Sequence, residues 1–155
     1  MGDIKTGNIQ ITGLADLEKR LLAFSDKLAR NVMGGAIRAG AVVIQKEARA
    51  KCPVGADAHW LGKKGQKGRV LIQPGELKRK GIRVRSAPRK KRSVPIEYWV
   101  YVSKRYWYWK FQEFGTAKMA AQPFLRPAFD ETKEKATEAV RDYLAKRIEK
   151  EAAKL

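Results

Sequence analysis

The stretch FQEFGTAKMAAQPFLRPAF, residues 111–129, holds four Phe, two Pro and one Gly within nineteen positions. Proline lacks a backbone N–H and fixes φ, so neither a helix interior nor a central strand suits this spacing. The stretch therefore predicts a turn between a strand-rich middle of the chain and a helical end. Gly115 is the residue that permits the turn, and we expect it to adopt a positive φ.

Two strands are predicted upstream of this turn. GIRVRSA (81–87) alternates apolar and Arg side chains, and PIEYWVYVS (95–103) is rich in aromatic and β-branched residues, both of which are typical of strands. The basic connection PRKKRS between them predicts an antiparallel hairpin. RYWYWKFQEF (105–114) follows, and it fits either a short helix or a strand that continues the sheet.

Two long helices are predicted on either side of these strands. The first begins at the N-cap pair Ser25-Asp26 and ends at Cys52-Pro53, because the residue before a proline avoids the helical region. The second begins with Pro127 in its first turn and is amphipathic. Its apolar stripe consists of Phe129, Ala136, Val140, Tyr143, Leu144 and Ile148.

Two further elements are predicted before residue 25. NIQITG (8–13) alternates, with Ile9 and Ile11 on one side, and predicts a short strand that ends at Gly13. Apolar residues at helical spacing then predict a short helix over residues 14–24.

Small residues crowd the first long helix at Gly34, Gly35 and Gly40. Each glycine costs about 1 kcal/mol relative to alanine in a helix interior, so a close approach of another backbone is the expected compensation. Tight packing of this helix on the chain's own sheet is the favoured interpretation, and a contact with another subunit is the alternative. Together the elements predict an α+β fold, with a small antiparallel sheet packed against two long helices.

The charge of the chain is large and unevenly distributed. The formal net charge is +18 and the isoelectric point is about 10.2, which favours acidic partners such as nucleic acid or an acidic protein surface. Residues 46–92, called here the basic stretch, hold sixteen Lys or Arg and three Asp or Glu, a net +13. A Gly- and Lys-rich part of it, at about 55–80, predicts a long basic loop inserted in a single domain of residues 1–155.

The residue inventory argues against catalysis and metal binding. His59 is the single histidine and Cys52 the single cysteine, so a histidine-based triad or a four-ligand zinc site lacks partners. Acidic residues are scarce before Glu97, which makes a two-carboxylate site hard to build. GKKGQKG (62–68) lacks the Gly-Lys-Ser/Thr ending of a phosphate-binding loop. We therefore expect no enzyme activity, no cofactor and no metal.

Two further expectations concern the surroundings of the protein. A lone cysteine favours a reducing site of assembly, and the uncharged apolar runs fall far short of the roughly 20 residues that a membrane span needs. We therefore expect no membrane contact.

Contact with nucleic acid is the main electrostatic prediction. Lysine and arginine side chains in the basic stretch would meet phosphates, with a strong dependence on salt. The candidate DNA-facing residues are Lys63, Lys64, Lys67, Arg69, Arg89, Lys90, Lys91 and Arg92. Aromatic residues nearby, such as Trp60, Trp99 and Tyr101, would stack bases or belong to a core. No motif for reading a DNA groove is present, so sequence-specific recognition is not expected.

The order of these segments resembles a known family. A GLADLEKRL helix, a long helix that ends in EARAKCPVG, a GELKRKGIRV element and YWYWKFQEFGTAKMAAQPFLRPAF precede a charged terminal helix. This order is similar to that of the tail-completion or head–tail joining proteins of long-tailed bacteriophages, the group around the tenth gene product of phage HK97. The most specific part is Glu113-Phe114-Gly115-Thr116 followed by Gln122-Pro123-Phe124-Leu125-Arg126-Pro127.

One departure from the family pattern lies in the basic stretch. Family members pass quickly from a Pro-Val pair, here Pro53-Val54, to a Thr-Gly-x-Leu element. In this chain a basic insertion comes first, and Gln73-Pro74-Gly75-Glu76-Leu77 stands in place of that element. The role of the insertion is therefore particular to this protein.

The resemblance implies structural work in the virion. Such proteins form a ring, expected to be hexameric, in the neck between head and tail, and they are assembled in the host cytoplasm. The implied partners are copies of the same chain, the tail terminator and head connector proteins, and double-stranded DNA that passes through the bore. The residues expected to contact another subunit or partner are Phe114, Gly115, Thr116, Lys118, Met119, Pro123 and Phe124.

The alternative function comes from the charge alone. A small, basic protein that binds nucleic acid without sequence preference would account for the +18 charge without a ring. It would be a monomer or dimer with tight affinity for DNA or RNA, whereas the neck protein would assemble into rings.

Overall fold

The computed structural model describes residues 26–62, 64, 67 and 69–153. The strand predicted at 8–13, the helix predicted at 14–24 and the candidate residue Lys63 lie outside these residues. The described chain has three α-helices: α1 (Asp26–Lys51), α2 (Trp109–Phe114) and α3 (Leu125–Ala152). Its four strands are β1 (His59–Leu61), β2 (Val70–Ile72), β3 (Ile82–Ser86) and β4 (Tyr98–Val102). Short helical turns cover Leu77–Gly81, Arg89–Lys91 and Lys104–Tyr106.

The fold is α+β, with two long helices and two small antiparallel sheets. β3 pairs with β4, with Ile82 opposite Val102 and Ser86 opposite Tyr98, which confirms the predicted hairpin. β1 pairs with β2, with His59 opposite Ile72. The predicted α+β fold of a small antiparallel sheet with two long helices is confirmed, and the region predicted as a long basic loop contains this second, short hairpin as well.

The short helix predicted near residue 110 is confirmed. Lys104–Tyr106 forms a 3₁₀ turn and Trp109–Phe114 forms α2. The alternative of a continued strand is wrong. Tyr106 is buried, and its hydroxyl donates to the Glu76 carboxylate at 3.1 Å, so this segment is anchored to the core at its start.

The two long helices pack on each other through small residues. The ideal Cβ position of Gly40 lies 2.9 Å from the Ala136 carbonyl oxygen, and that of Gly35 lies 2.3 Å from the Tyr143 hydroxyl. Only glycine allows these approaches without a shift of the neighbour. The prediction of tight packing within the chain is correct, but α3 is the partner of Gly35 and Gly40, and the sheet approaches Gly34 through Tyr98.

Two groups of buried residues hold these layers together. One lies between α1 and α3 and contains Val32, Ala36, Leu144 and Ile148. The other joins the end of α1 to both hairpins and to the start of α3, and it contains Ala48, Cys52, Ile72, Leu77, Ile82, Val102, Tyr106, Phe124 and Ala128. The second group therefore fixes the position of the turn at 113–124 relative to the strands.

Candidate functional site

The turn before α3 is organised by one buried carboxylate. Glu113 is buried, and its Oε2 accepts the backbone N–H groups of Phe124 at 2.8 Å and Leu125 at 3.0 Å. Its Oε1 accepts the N–H of Arg126 at 3.1 Å. These donors belong to the first turn of α3, whose N-cap residue Phe124 has no side-chain acceptor. A negative charge at a helix N-terminus is also favoured by the helix dipole.

Backbone hydrogen bonds close the rest of this turn. The Gly115 N–H donates to the Phe111 carbonyl at 2.9 Å, and the Gln122 N–H donates to the Gln112 carbonyl at 2.7 Å. Gly115 has φ +73°, which confirms the predicted positive φ. An added Cβ at Gly115 would lie 2.9 Å from the Met119 oxygen, so the turn needs glycine for space as well. We call residues 113–127 the corner.

The corner exposes most of the residues predicted to contact a partner. Phe114 is 66% exposed and Met119 is 42% exposed, while Thr116, Lys118 and Pro123 are also on the surface. Phe124 is fully buried, so its role is to anchor α3 to the core. Phe111 is also exposed, at 44%, so neither Phe111 nor Phe114 is buried in the core.

Exposed apolar side chains are concentrated near the corner. Among the described residues eight large hydrophobic side chains are exposed, and four of them lie in residues 107–119. They are Trp107, Phe111, Phe114 and Met119. Trp107 and Phe111 pack edge to face with ring centroids 5.4 Å apart. Exposed apolar surface that is larger than scattered single side chains commonly marks an interaction site.

The first group of candidate DNA-facing residues lies on the hairpin of β1, β2 and their connection, residues 59–72, called here the basic hairpin. Lys64 and Lys67 are exposed. The Arg69 guanidinium lies 4.3 Å from the centre of the Trp60 ring, a cation–π contact that orients both side chains. This hairpin therefore presents cations together with one exposed aromatic ring.

The second group lies in the connection between β3 and β4. Lys90 and Lys91 are exposed, and only the backbone of Arg89 is described. Arg92 has an internal role, because its guanidinium donates to the Ala87 carbonyl at 2.7 Å and to the Ser86 hydroxyl at 2.7 Å. The candidate cations are thus divided between two hairpins, and Arg92 stabilises its own turn.

The outer face of the β3–β4 hairpin combines arginine and aromatic side chains. Arg83 lies opposite Tyr101 and Arg85 lies opposite Trp99 in the strand register. The Arg85 guanidinium is 4.9 Å from the Tyr101 ring centre and 5.6 Å from that of Trp99. Sequence alternation indicated this face, but the pairing across strands that brings Arg85 to two rings required the register.

A second buried carboxylate ties the Gln73-Pro74-Gly75-Glu76-Leu77 element to the core. The Gln73 N–H donates to Glu76 at 3.1 Å, and the Tyr106 hydroxyl donates to its other oxygen. The Gln73 hydrogen bond, with help from Tyr106 and the nearby Arg105, lowers the pKa of Glu76 despite its burial. Glu76 therefore remains charged at neutral pH and organises the exit from the basic hairpin.

The groups considered for catalysis or metal binding have packing roles. Burial raises the pKa of the Cys52 thiol to about 11, and His59 packs edge to face against Tyr108 with centroids 5.3 Å apart. Within residues 26–62, 64, 67 and 69–153, no group of three or more His, Cys, Asp or Glu side chains could hold a metal ion. No helix in the same residues is long and apolar enough to cross a membrane.

No known family, curated protein or solved structure matches this chain. The candidate functional surfaces of the described chain are the corner, the basic hairpin and the outer face of β3–β4.

Two functional features were missed by sequence reasoning. The capping role of Glu113 joins residues that are eleven to thirteen positions apart, beyond the reach of local cap patterns. The sequence feature that could have indicated this role is that Glu113 is the single acidic residue in the aromatic segment RYWYWKFQEF. The pairing of Arg85 with two aromatic rings is the other missed feature.

Proposed function

We propose that this protein is a structural virion subunit of a long-tailed bacteriophage, which completes the tail and joins it to the head as part of a ring in the neck. The observation that carries the proposal is the corner. The segment with the most specific family resemblance is self-capped through Glu113, and it exposes Phe114 and Met119 to solvent. An ordered turn with exposed apolar residues suits docking on another subunit, because little conformational freedom is lost on binding.

The composition of this surface supports a protein partner. Aromatic residues and Met are enriched at protein interfaces, and Trp107, Phe111, Phe114 and Met119 supply both kinds. A contact between different surfaces of identical chains closes into a ring when the rotation allows it. The proposed partners are copies of this chain, the tail terminator and the head connector proteins, and the proposed location is the neck of the virion.

The basic hairpin has a place in the same proposal. Lys64, Lys67 and Arg69, with Lys90 and Lys91 of the other hairpin, would line or reach into the bore beside double-stranded DNA. Such contacts need no base recognition, which agrees with the exposed positions of Lys64 and Lys67 in the connection between β1 and β2. An acidic surface on a neighbouring ring is the competing target of these cations.

Electron microscopy of the purified protein, alone and mixed with tail tubes, tests the neck function. We expect rings at the ends of the tubes, with a mass that is a multiple of the 17.5 kDa chain. A protein that stays monomeric and leaves tube ends bare would contradict the proposal.

A charge-reversal pair tests the DNA contact. Lys64→Glu with Lys67→Glu should weaken ring binding to duplex DNA and reduce the slope of log affinity against log salt by about 2, one for each lost phosphate contact. Lys146→Glu with Lys150→Glu on α3 makes the same charge change elsewhere and should alter the slope less. Equal effects of the two pairs, or binding that is insensitive to salt, would exclude a DNA role for the hairpin.

A small basic protein that binds nucleic acid without sequence preference is the second candidate. The observation that favours it is the outer face of β3–β4, where Arg85 contacts Trp99 and Tyr101, because aromatic rings beside arginine stack on bases. It predicts a monomer or dimer in which Tyr101→Ala weakens binding to single strands by about 1–3 kcal/mol. Rings that bind only duplex DNA would exclude it.

A further inference from the structure

Three exposed aromatic rings lie on one side of the segment that leads into the corner. Trp107 and Tyr108 have helical backbone angles and continue directly into α2, so positions 107, 111 and 114 share one helical face. The side chains of Trp107, Phe111 and Phe114 on this face are all exposed. We call these three residues the aromatic row, and their apolar surface favours burial against a partner.

The surface around the aromatic row is cationic. Residues 104–126 contain five Lys or Arg and a single carboxylate, that of Glu113, which is buried in the cap of α3. Lys110 follows Trp107 by three positions, which places it beside the row, and Lys118 is exposed on the corner. A partner of this surface should therefore present negative charge.

α3 presents a stripe of four carboxylates in an otherwise basic chain. They recur at every fourth position, which aligns them along about 18 Å of the helix, and all four are exposed. None of them forms an ion pair with another described residue. We call these four residues the acidic stripe: Asp130, Glu134, Glu138 and Asp142.

The acidic stripe works against the stability of α3 itself. Like charges at positions i and i+4 of a helix repel each other, and the stripe contains three such pairs in succession. Opposite charges at the same spacing would support the helix, so folding alone does not account for this arrangement. A departure of this kind from a local rule is expected at functional sites.

We infer that the aromatic row of one copy of the chain docks on the acidic stripe of the next copy, and that this contact joins the subunits of the ring. The inference rests on the proposed neck function and names the two surfaces that meet. These surfaces share no residue, so the contact is heterologous, and heterologous contacts close into rings when the rotation allows it. Lys110 and Lys118 would face the carboxylates of the neighbouring α3.

Arg141 supplies a contact for the aromatic rings themselves. It is exposed and follows Glu138 by three positions, so its side chain lies beside the acidic stripe. A guanidinium is attracted to the face of an aromatic ring, and to that of Trp most strongly. This chain already contains such contacts at Trp60 and Trp99. The neighbouring α3 therefore offers carboxylates for the lysines and a guanidinium for Trp107.

A second copy fits these surfaces better than the other occupants do. The net charge of +18 does not prevent the contact, because charges more than about 8 Å apart are largely screened at physiological ionic strength. Nucleic acid would neutralise the lysines, but its phosphates would be repelled by the acidic stripe. A different acidic protein on the aromatic row would leave the acidic stripe without a role.

Charge exchange between the two surfaces tests the contact. Lys110→Glu with Lys118→Glu makes the surroundings of the aromatic row acidic, and Glu134→Lys with Glu138→Lys makes the stripe basic. Each double variant alone should self-associate about tenfold more weakly than wild type, or weaker still, in sedimentation velocity. An equimolar mixture of the two should recover assembly, because every contact between the two kinds of chain then joins opposite charges.

Two further variants separate a lost contact from a lost fold. Asp57→Lys with Glu149→Lys makes the same charge change as the stripe variant at exposed positions outside the stripe, and it should assemble as wild type does. Glu134→Gln with Glu138→Gln removes two carboxylates that repel each other. Its assembly should weaken, while the melting temperature of its monomer should equal or exceed that of wild type.

The outcomes distinguish the contact from the neck function. Recovered assembly in the mixture supports the contact, and if tail tubes then stay bare, the neck function alone fails. Rings at tube ends that persist in Glu134→Lys with Glu138→Lys would overturn the inference and leave the neck function intact. A mixture that assembles no better than its components would also overturn the inference. Wild type that remains a monomer would overturn both proposals.

Discussion

The α1–α3 pair and the basic hairpin are held together in different ways. The two helices approach so closely that Gly35 and Gly40 leave no room for a side chain. The basic hairpin is joined by three residue pairs between β1 and β2, and Arg69 packs on Trp60 at its surface. A close-packed layer is sensitive to single atoms, whereas a hairpin tip with solvated side chains tolerates change.

This difference separates stability from function in the proposed neck protein. The helix pair and its connection to the corner should determine whether the chain folds. The basic hairpin should determine which acidic partner the folded chain meets. Variants that change one property and leave the other intact are therefore the most informative.

The largest effect is expected from Glu113→Ala. The variant removes the acceptor for three backbone N–H groups at the start of α3, and it should lower the free energy of unfolding by about 3 kcal/mol. Glu138→Ala, at an exposed position of α3, should change it by less than about 0.5 kcal/mol. Chemical denaturation measures both, and similar losses would contradict the capping role.

Two glycines of α1 should respond to substitution in opposite ways. Gly40→Ala would bring a Cβ to 2.9 Å from the Ala136 oxygen and 2.8 Å from Val140, and it should destabilise the protein by about 2 kcal/mol. Gly34→Ala would place its Cβ at an ordinary 3.7 Å from the Tyr98 hydroxyl. That variant should stabilise the helix by up to about 1 kcal/mol. A melting temperature that falls for Gly40→Ala and rises for Gly34→Ala would support the close approach of α1 and α3. A change of the same sign in both variants would contradict it.

An acid titration tests how the end of the basic hairpin is tied to the core. The pKa of Glu76 is lowered below its ordinary 4.5, chiefly by the Gln73 hydrogen bond. Its ionised form therefore stabilises the fold above the unfolded-state pKa, and this contribution is lost as the pH falls through the lower, folded-state pKa. Glu76→Gln should be less stable than wild type at pH 7, by about 1 kcal/mol.

The pH dependence separates this effect from a packing defect. Below pH 4.5 the difference in the free energy of unfolding between wild type and Glu76→Gln should become smaller, because the wild-type carboxylate takes up its proton. Glu134→Gln, at an exposed position of α3, should follow the wild-type curve. A constant gap across the acid range would show that the Glu76 charge has no stabilising role.

The smallest effect on folding is expected from the hairpin tip. Lys64→Glu with Lys67→Glu changes exposed side chains, and the free energy of unfolding should move by no more than about 0.5 kcal/mol. Urea denaturation checks this value beside the DNA titration. A loss as large as that of Gly40→Ala would show that the tip has a structural role.

Local signals in the sequence predicted much of the fold. Cys52-Pro53 marked the end of α1 to within one residue, the alternation of residues 81–87 predicted β3, and Gly115 was correctly assigned a positive φ. Each of these features depends on a few neighbouring residues, so a local pattern contains the necessary information.

The errors concern contacts between distant residues. β1 and β2 have only three residues each, too few for a clear alternation, and they are stabilised by pairing across an eight-residue connection. The partner of Gly40 lies about a hundred positions away on α3. For the same reason the candidate site was predicted in part: Phe114 and Met119 were named from the sequence as contact residues and are exposed, whereas the cap that Glu113 provides depends on tertiary structure.

If the corner is a subunit contact, the assembled mass of the protein should depend on its exposed apolar side chains. Analytical ultracentrifugation of wild type should show a ring-sized species at high concentration, and Phe114→Ser with Met119→Ser should shift it to monomer without loss of fold. Val54→Ser with Val94→Ser, which changes two equally exposed apolar residues elsewhere, should assemble as wild type does. Wild type that remains a monomer, or a ring that both variants form equally well, would contradict the account.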